Sequence, residues 1–132
     1  MMRLLLDTHI WLWSLLDRSR LSHRVVATLA DAKNELWLSP FSVWEVLMLC
    51  EKRRLQLDPD PVTWVRNALS SIPFRQASIN YEVAMETERV QLGDRDPTDR
   101  FLVATAPVFE LTLFTSDATL LNARAVPVLA NR

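Results

Sequence analysis

The sequence contains one cysteine, Cys50, one glycine, Gly93, and only two lysines, Lys33 and Lys52. A lone cysteine excludes an internal disulfide and any Cys-rich metal site, and it fits a reducing compartment. No apolar run approaches the roughly 20 residues of a membrane helix. The earliest run, Leu4-Leu5-Leu6, meets Asp7 before it can become a signal-peptide core, so a cytoplasmic chain away from membranes is expected. An excess of positive charge is also missing: the net charge of −1 removes the bulk electrostatic argument for nucleic-acid binding. Basic residues gather only locally, in Lys52-Arg53-Arg54 and around Arg95 and Arg100, while the acids are spread in ones and twos.

What is present describes one ordinary globular domain over residues 1–132, with 49% hydrophobic and 23% charged residues and no repeat or linker. Met2 to Leu6 reads as a buried strand that ends on the helix-capping pair Asp7-Thr8. A helix from His9 to Leu16 is apolar nearly all round, and a second runs from about Ser22 to Ala32. Glu35 to Ser39 is another apolar strand, after which Ser39-Pro40 opens a helix with Val43, Val46, Leu47, Leu49 and Cys50 on its apolar face. Asp58-Pro59-Asp60-Pro61 breaks the chain, and Val62, Val65, Ala68 and Leu69 then recur at helical spacing. Pro73 to Ser78 is expected as a strand and Tyr81 to Gln91 as a helix. The charged loop from Leu92 to Pro97 carries Gly93. Asp96-Pro97 starts a helix that Pro107 should end early. Leu111 to Thr115 is a strand closing on Ser116-Asp117, and Val126 to Leu129 is a last short strand. Strands alternating with helices imply an α/β fold with a mostly parallel sheet covered on both faces.

Four acids occupy comparable places in this scheme. Asp7 and Asp117 follow apolar strands, Glu45 lies in the first turns of a helix after a strand, and Asp99 lies in the first turn of a loop-fed helix, three residues after Asp96. A parallel sheet puts all of these at the carboxyl ends of its strands, where such folds place their sites. Each acid also suits a structural role. Asp7, Asp96 and Asp117 can cap helices, Ser42-Val43-Trp44-Glu45 fits a capping box, and Asp99 is favourable against a helix dipole. Caps would scatter over the fold, whereas this set converges, and converging carboxylates repel one another unless a cation intervenes. All-oxygen ligands without cysteine or a histidine pair favour Mg²⁺ or Mn²⁺ over zinc, and phosphodiester hydrolysis is the natural use of such an ion.

Four segments, taken in order, carry a resemblance. They are Leu4-Leu5-Leu6-Asp7-Thr8-His9, Ser42-Val43-Trp44-Glu45-Val46, Arg95-Asp96-Pro97-Thr98-Asp99-Arg100-Phe101-Leu102-Val103-Ala104, and Thr115-Ser116-Asp117. Together they resemble a PIN domain, and more closely the VapC-type toxins of bacterial toxin–antitoxin modules. The resemblance implies a three-layer α/β/α sandwich and an endoribonuclease that uses Mg²⁺ or Mn²⁺ to cut RNA. It also implies a homodimer held inactive by a cognate VapB-type antitoxin. It marks Asp7, Glu45, Asp99 and Asp117 as the catalytic and metal-binding acids, with Asp96 as an additional one, and sets Thr8 and Thr115 beside the site. Trp11, Trp13 and Trp44 fall on helices that meet the antitoxin in similar toxins. The chain departs from the pattern at Glu110 and Ala125, where glycine is frequent, and at Pro107, which interrupts a helix that relatives continue.

His9 is expected to be structural, since a metal-activated water needs no histidine base. Cys50 is expected in the core. Arg100 suits either a carboxylate or phosphate contact or a solvated surface, and Lys52-Arg53-Arg54 suits a solvated helix end. An aspartate-based phosphatase or receiver domain fits poorly. The phosphatase wants an acid where His9 stands, and both want a downstream lysine. A PIN-like scaffold that binds without cutting is the non-enzymatic alternative, and the intact acidic set argues against it.

Overall fold

The computed structural model describes residues 1–90, 97–117, 120 and 127–132. Five strands form the sheet: β1 (Arg3–Leu6), β2 (Glu35–Leu38), β3 (Arg75–Gln76), β4 (Thr112–Thr115) and β5 (Val128–Ala130). Their order is β3-β2-β1-β4-β5 and every pairing is parallel, with Leu4 opposite both Leu36 and Thr112. The helices that lie wholly within the described residues are α1 (Thr8–Leu16), α2 (His23–Ala30), α3 (Pro40–Glu51), α4 (Pro61–Ser71), α5 (Tyr81–Glu86) and α6 (Pro97–Phe109).

The period-two alternation of a strand divides the core. Leu4 and Leu6 of β1, Leu36 and Leu38 of β2 and Phe114 of β4 face one layer, where they pack on Ile10 and Trp11 of α1, Val25 of α2, Val46 of α3 and Val65 of α4. Leu5 and Leu113 face the other layer and meet Val83 of α5 with Leu102, Val103 and Ala106 of α6. This is the three-layer α/β/α arrangement, and both faces of β1 are buried. Each leucine so buried contributes roughly 1.5–3 kcal/mol. Among the described residues no helix is long and apolar enough to cross a membrane.

Helix starts follow the polar residues in front of them. Asp7, Ser22, Ser39, Asp60 and Asn80 each cap a helix by accepting a backbone N–H. The cap of α3 is therefore Ser39, which accepts from Phe41 N–H at 3.1 Å. The capping-box reading of Ser42 and Glu45 is thereby corrected, because both already lie within the helix.

Other expectations also change. Helix α6 runs through Pro107 to Phe109 instead of stopping short. The proline ring is exposed to solvent and removes only one donor. The helix closes on a Schellman motif, with Glu110 N–H donating to Pro107 C=O at 3.3 Å and Leu111 N–H to Ala106 C=O at 2.8 Å. Glu110 takes φ 57° there, in a position usually given to glycine. Helix α3 ends in the same way on Arg53, with φ 58° and Arg54 N–H bonded to Leu49 C=O at 2.9 Å. Strand β3 has shrunk to two exposed residues. Helix α5 tightens after Glu86 into a 3₁₀ turn, Thr87–Arg89, where the Thr87 hydroxyl bonds Ala84 C=O at 2.6 Å. The loop carrying Gly93, along with Arg95, Asp96, Ala125 and Val126, lies outside the described residues.

Candidate active site

Strand order reverses around β1, since the chain first moves outward to β2 and β3 and later returns to β1's other side as β4. The crevice beyond the carboxyl ends of β1 and β4 is thus the switch point of the sheet, where α/β folds bind ligands. Asp7 follows β1 and Asp117 follows β4 across this crevice. Glu45 reaches it from α3 and Asp99 from the first turn of α6. These four acids line one cleft of about 390 Å³ with Thr8, His9, Trp13, Thr98, Leu102 and Ser116. Asp96 lies outside the described residues. An apolar cleft of about 300 Å³ elsewhere, lined by Leu38, Val43, Leu69 and Phe74, carries no carboxylate.

Asp7 is the best fixed of the set. Its own N–H bonds Phe114 C=O at 2.9 Å, extending the β1–β4 ladder by one step. One carboxylate oxygen accepts from His9 N–H at 2.7 Å and the other from the Thr115 hydroxyl. Thr115 is fully buried and also accepts from Asp117 N–H at 3.0 Å, so a single hydroxyl joins two acids of the site. Asp7 is at once helix cap and part of the cleft lining. Asp117 likewise accepts from Leu120 N–H at 3.3 Å. On the opposite wall the hydroxyls of Thr8 and Ser42 are hydrogen-bonded at 3.0 Å, both buried where α1 meets α3.

The electrostatics are unfavourable for bare carboxylates. Burial pushes the Asp7 carboxyl above its ordinary range, against the opposing hydrogen bonds from Thr115 and His9. Burial also pushes Glu45 up, and the charges of Asp7 and Asp99 add to the shift while a Thr8 hydrogen bond and His9 oppose it. Among the described residues no three Asp, Glu, His or Cys side chains stand close enough to grip one ion unaided.

Residues set aside or misplaced by the sequence pattern also find their places. His9 sits on the rim, 54% exposed, with Nδ1 4.0 Å from an Asp7 oxygen. Trp13 is half-buried in the cleft wall, whereas Trp11 is wholly in the core and offers nothing to a partner. Trp44 is 49% exposed and packs edge-on against Phe41 at 6.2 Å. The Arg100 guanidinium donates to Thr87 C=O at 3.1 Å and Val90 C=O at 2.9 Å, which ties the 3₁₀ turn to α6. Cys50 is half-buried against the core, as expected.

A parallel three-layer sandwich with carboxylates gathered at its switch point defines an acid-site α/β domain. The chain matches the PIN domain over residues 4–126 and belongs to the PIN domain family. Among solved structures it resembles VapBC2 from Rickettsia felis bound to a DNA fragment from its promoter, at TM-score 0.75 and 12% identity, covering 98% of each chain. DNA-bound VapBC from Salmonella typhimurium gives TM-score 0.73 and 14% identity over 100% of both chains. FitAcB from Neisseria gonorrhoeae gives 0.66 and 21% over 97% of both. At these identities the likeness concerns the fold. A search of curated proteins finds no match.

Proposed function

We propose that this chain is a metal-dependent endoribonuclease, a single PIN domain acting as the toxin of a toxin–antitoxin pair. The observation that carries the reading is the convergence of Asp7, Glu45, Asp99 and Asp117, from four separate segments, on one cleft at the switch point. The toxin–antitoxin complexes among its structural relatives support a cognate VapB-type antitoxin as partner. A cytoplasmic homodimer completes the proposal.

The donor set fits Mg²⁺ or Mn²⁺. It consists of hard carboxylate oxygens, and burial already pushes Asp7 and Glu45 toward their neutral forms, with the charges of Asp7 and Asp99 adding to the shift at Glu45. Magnesium is ordinarily bound through one or two carboxylates, with waters and substrate phosphate oxygens completing the shell, so a tight three-carboxylate cage is not required. When bound, the ion supplies an activated water and neutralises charge on the phosphodiester. Asp7, locked by Thr115 and the His9 N–H, presents a fixed carboxylate to it. Glu45, Asp99 and Asp117 would hold the ion from the other walls of the cleft, directly or through its bound waters, with Asp96 beside them in sequence.

The test is incubation of antitoxin-free protein with total RNA in Mn²⁺, in Mg²⁺ and in EDTA, beside Asp7→Asn checked for folding by circular dichroism. Cleavage that needs both metal and Asp7 is expected. A folded protein that neither cuts RNA nor binds metal would instead be a binding scaffold.

A further inference from the structure

The acidic cleft has a difficulty as an RNA site: none of the described residues lining it is lysine or arginine. Four carboxylates repel a phosphate backbone, and the protein must recover binding from groups other than cations inside the cleft. One wall is aromatic. His9 and Trp13, one turn apart on α1, both line the cleft with ring centroids 5.6 Å apart and planes tilted by 48°. The His9 side chain is 54% exposed while its backbone N–H is bonded to Asp7, so the ring springs from a fixed point on the rim. Trp13 backs it, and the Arg20 guanidinium lies 5.4 Å from the Trp13 ring centre, itself 61% exposed.

We infer that His9 and Trp13 form a stacking platform for one unpaired RNA base, which seats the adjoining phosphodiester over the acidic cleft. The inference rests on the nuclease reading above and assigns to His9 and Trp13 the selection of an unpaired base. A base can stack on a protein ring only when its face is free, which a duplex denies it. Base–aromatic contacts tolerate any base, so the platform sets strandedness more than sequence. Arg20, which lies over the Trp13 ring and pairs with Asp17 at 3.5 Å, brings a cation beside the cleft, within reach of a neighbouring phosphate.

The test measures anisotropy of a fluorescein-labelled, unstructured RNA 12-mer, and of its perfect duplex, on the full chain in Mg²⁺. Asp7→Asn is the background, to prevent cutting. Adding His9→Ala, a change at an exposed side chain, should weaken single-strand binding on the order of tenfold, the ordinary worth of one stacked base. His9→Phe should restore it, because the platform needs a ring and not a charge. Trp13→Leu should weaken binding and Trp13→Phe should largely keep it. The duplex should bind less tightly and be indifferent to His9. Unchanged affinity in His9→Ala, or no rescue by His9→Phe, overturns the platform while leaving metal-dependent cleavage by the wild type standing. Absence of any RNA binding, together with absence of cleavage by the wild type, overturns both.

Discussion

Thr115→Val isolates the hydrogen bond that fixes Asp7. The two side chains have nearly the same shape and the site is fully buried, so no cavity is left, and the valine methyl must stand off from the Asp7 carboxylate that the hydroxyl held. The variant loses the hydroxyl that donates to the Asp7 carboxylate and accepts from Asp117 N–H. A hydrogen bond to a charged group is worth about 1.5–3 kcal/mol, and the half-buried Asp117 N–H can turn to water at small further cost. A loss of about 2–3 kcal/mol is expected in EDTA at neutral pH. For 132 residues the unfolding entropy converts this to a fall in Tm of roughly 7–10 °C. Thr115→Ser keeps the donor and loses one buried methyl, costing about 1 kcal/mol. Because Asp7 also loses its orientation, Mg²⁺ affinity should drop by about 10- to 100-fold in the valine variant alone, as for other residues that orient a metal ligand. Urea unfolding in EDTA and calorimetric Mg²⁺ titration measure the two effects. A valine variant within 0.5 kcal/mol of wild type and with undiminished Mg²⁺ affinity would refute the role given to Thr115.

Two further outcomes follow from the same geometry. Asp7 and Glu45 have folded-state pKa values above their ordinary 3.8 and 4.5, so their protonated forms are favoured by folding. Their contribution to stability is full below those ordinary values and is lost as pH rises through the raised ones. In EDTA the urea midpoint of wild type relative to Asp7→Asn should therefore fall between pH 4 and neutrality, and saturating Mg²⁺ should reverse the fall; a relative midpoint that rises with pH would show the sign to be wrong. Glu110→Gly should stabilise the chain by about 0.5–1 kcal/mol, because it relieves a left-handed residue at the end of α6. Its 3.8 Å ion pair with Arg3, at 87% exposure of Glu110, contributes little against that. A Tm raised by a few degrees with RNA cleavage unchanged is the expected reading, and a lowered Tm contradicts it.

Much of this was legible in the sequence because the informative acids stand at boundaries. Asp7 and Asp117 sit where apolar strands stop, and a parallel sheet necessarily gathers such positions on one edge. Glu45 and Asp99, at the starts of helices that enter from the same sheet edge, join them by position, and the family resemblance marks the same four acids. Features that depend on three-dimensional packing were harder to read. A helix apolar all round, as α1 is, does not reveal that Trp11 turns inward while Trp13 lines the cleft. Ser39 and Ser42 are both plausible caps, and the choice fell to Ser39 because it immediately precedes the proline that opens α3. Pro107 is ordinarily a helix stop, yet its ring points to solvent and the buried Leu111 closes the turn beyond it. The two Schellman ends carried no glycine signal, because Arg53 and Glu110 hold those positions instead. His9 was set aside for want of a chemical need for a base, and only its place on the cleft rim gives it another use.

The proposed function stands or falls on whether the four carboxylates act together as one divalent-cation site. The most direct measurement is a Mn²⁺ titration, followed by electron paramagnetic resonance of the free ion, on wild type and on Asp7→Asn, Glu45→Gln, Asp99→Asn and Asp117→Asn, each verified as folded. A Mn²⁺ site in the wild type is expected that weakens at least tenfold in Asp7→Asn and measurably in the others, with RNA cleavage saturating over the same Mn²⁺ range. Mn²⁺ binding that is absent from the folded wild type, or indifferent to all four substitutions, would contradict it.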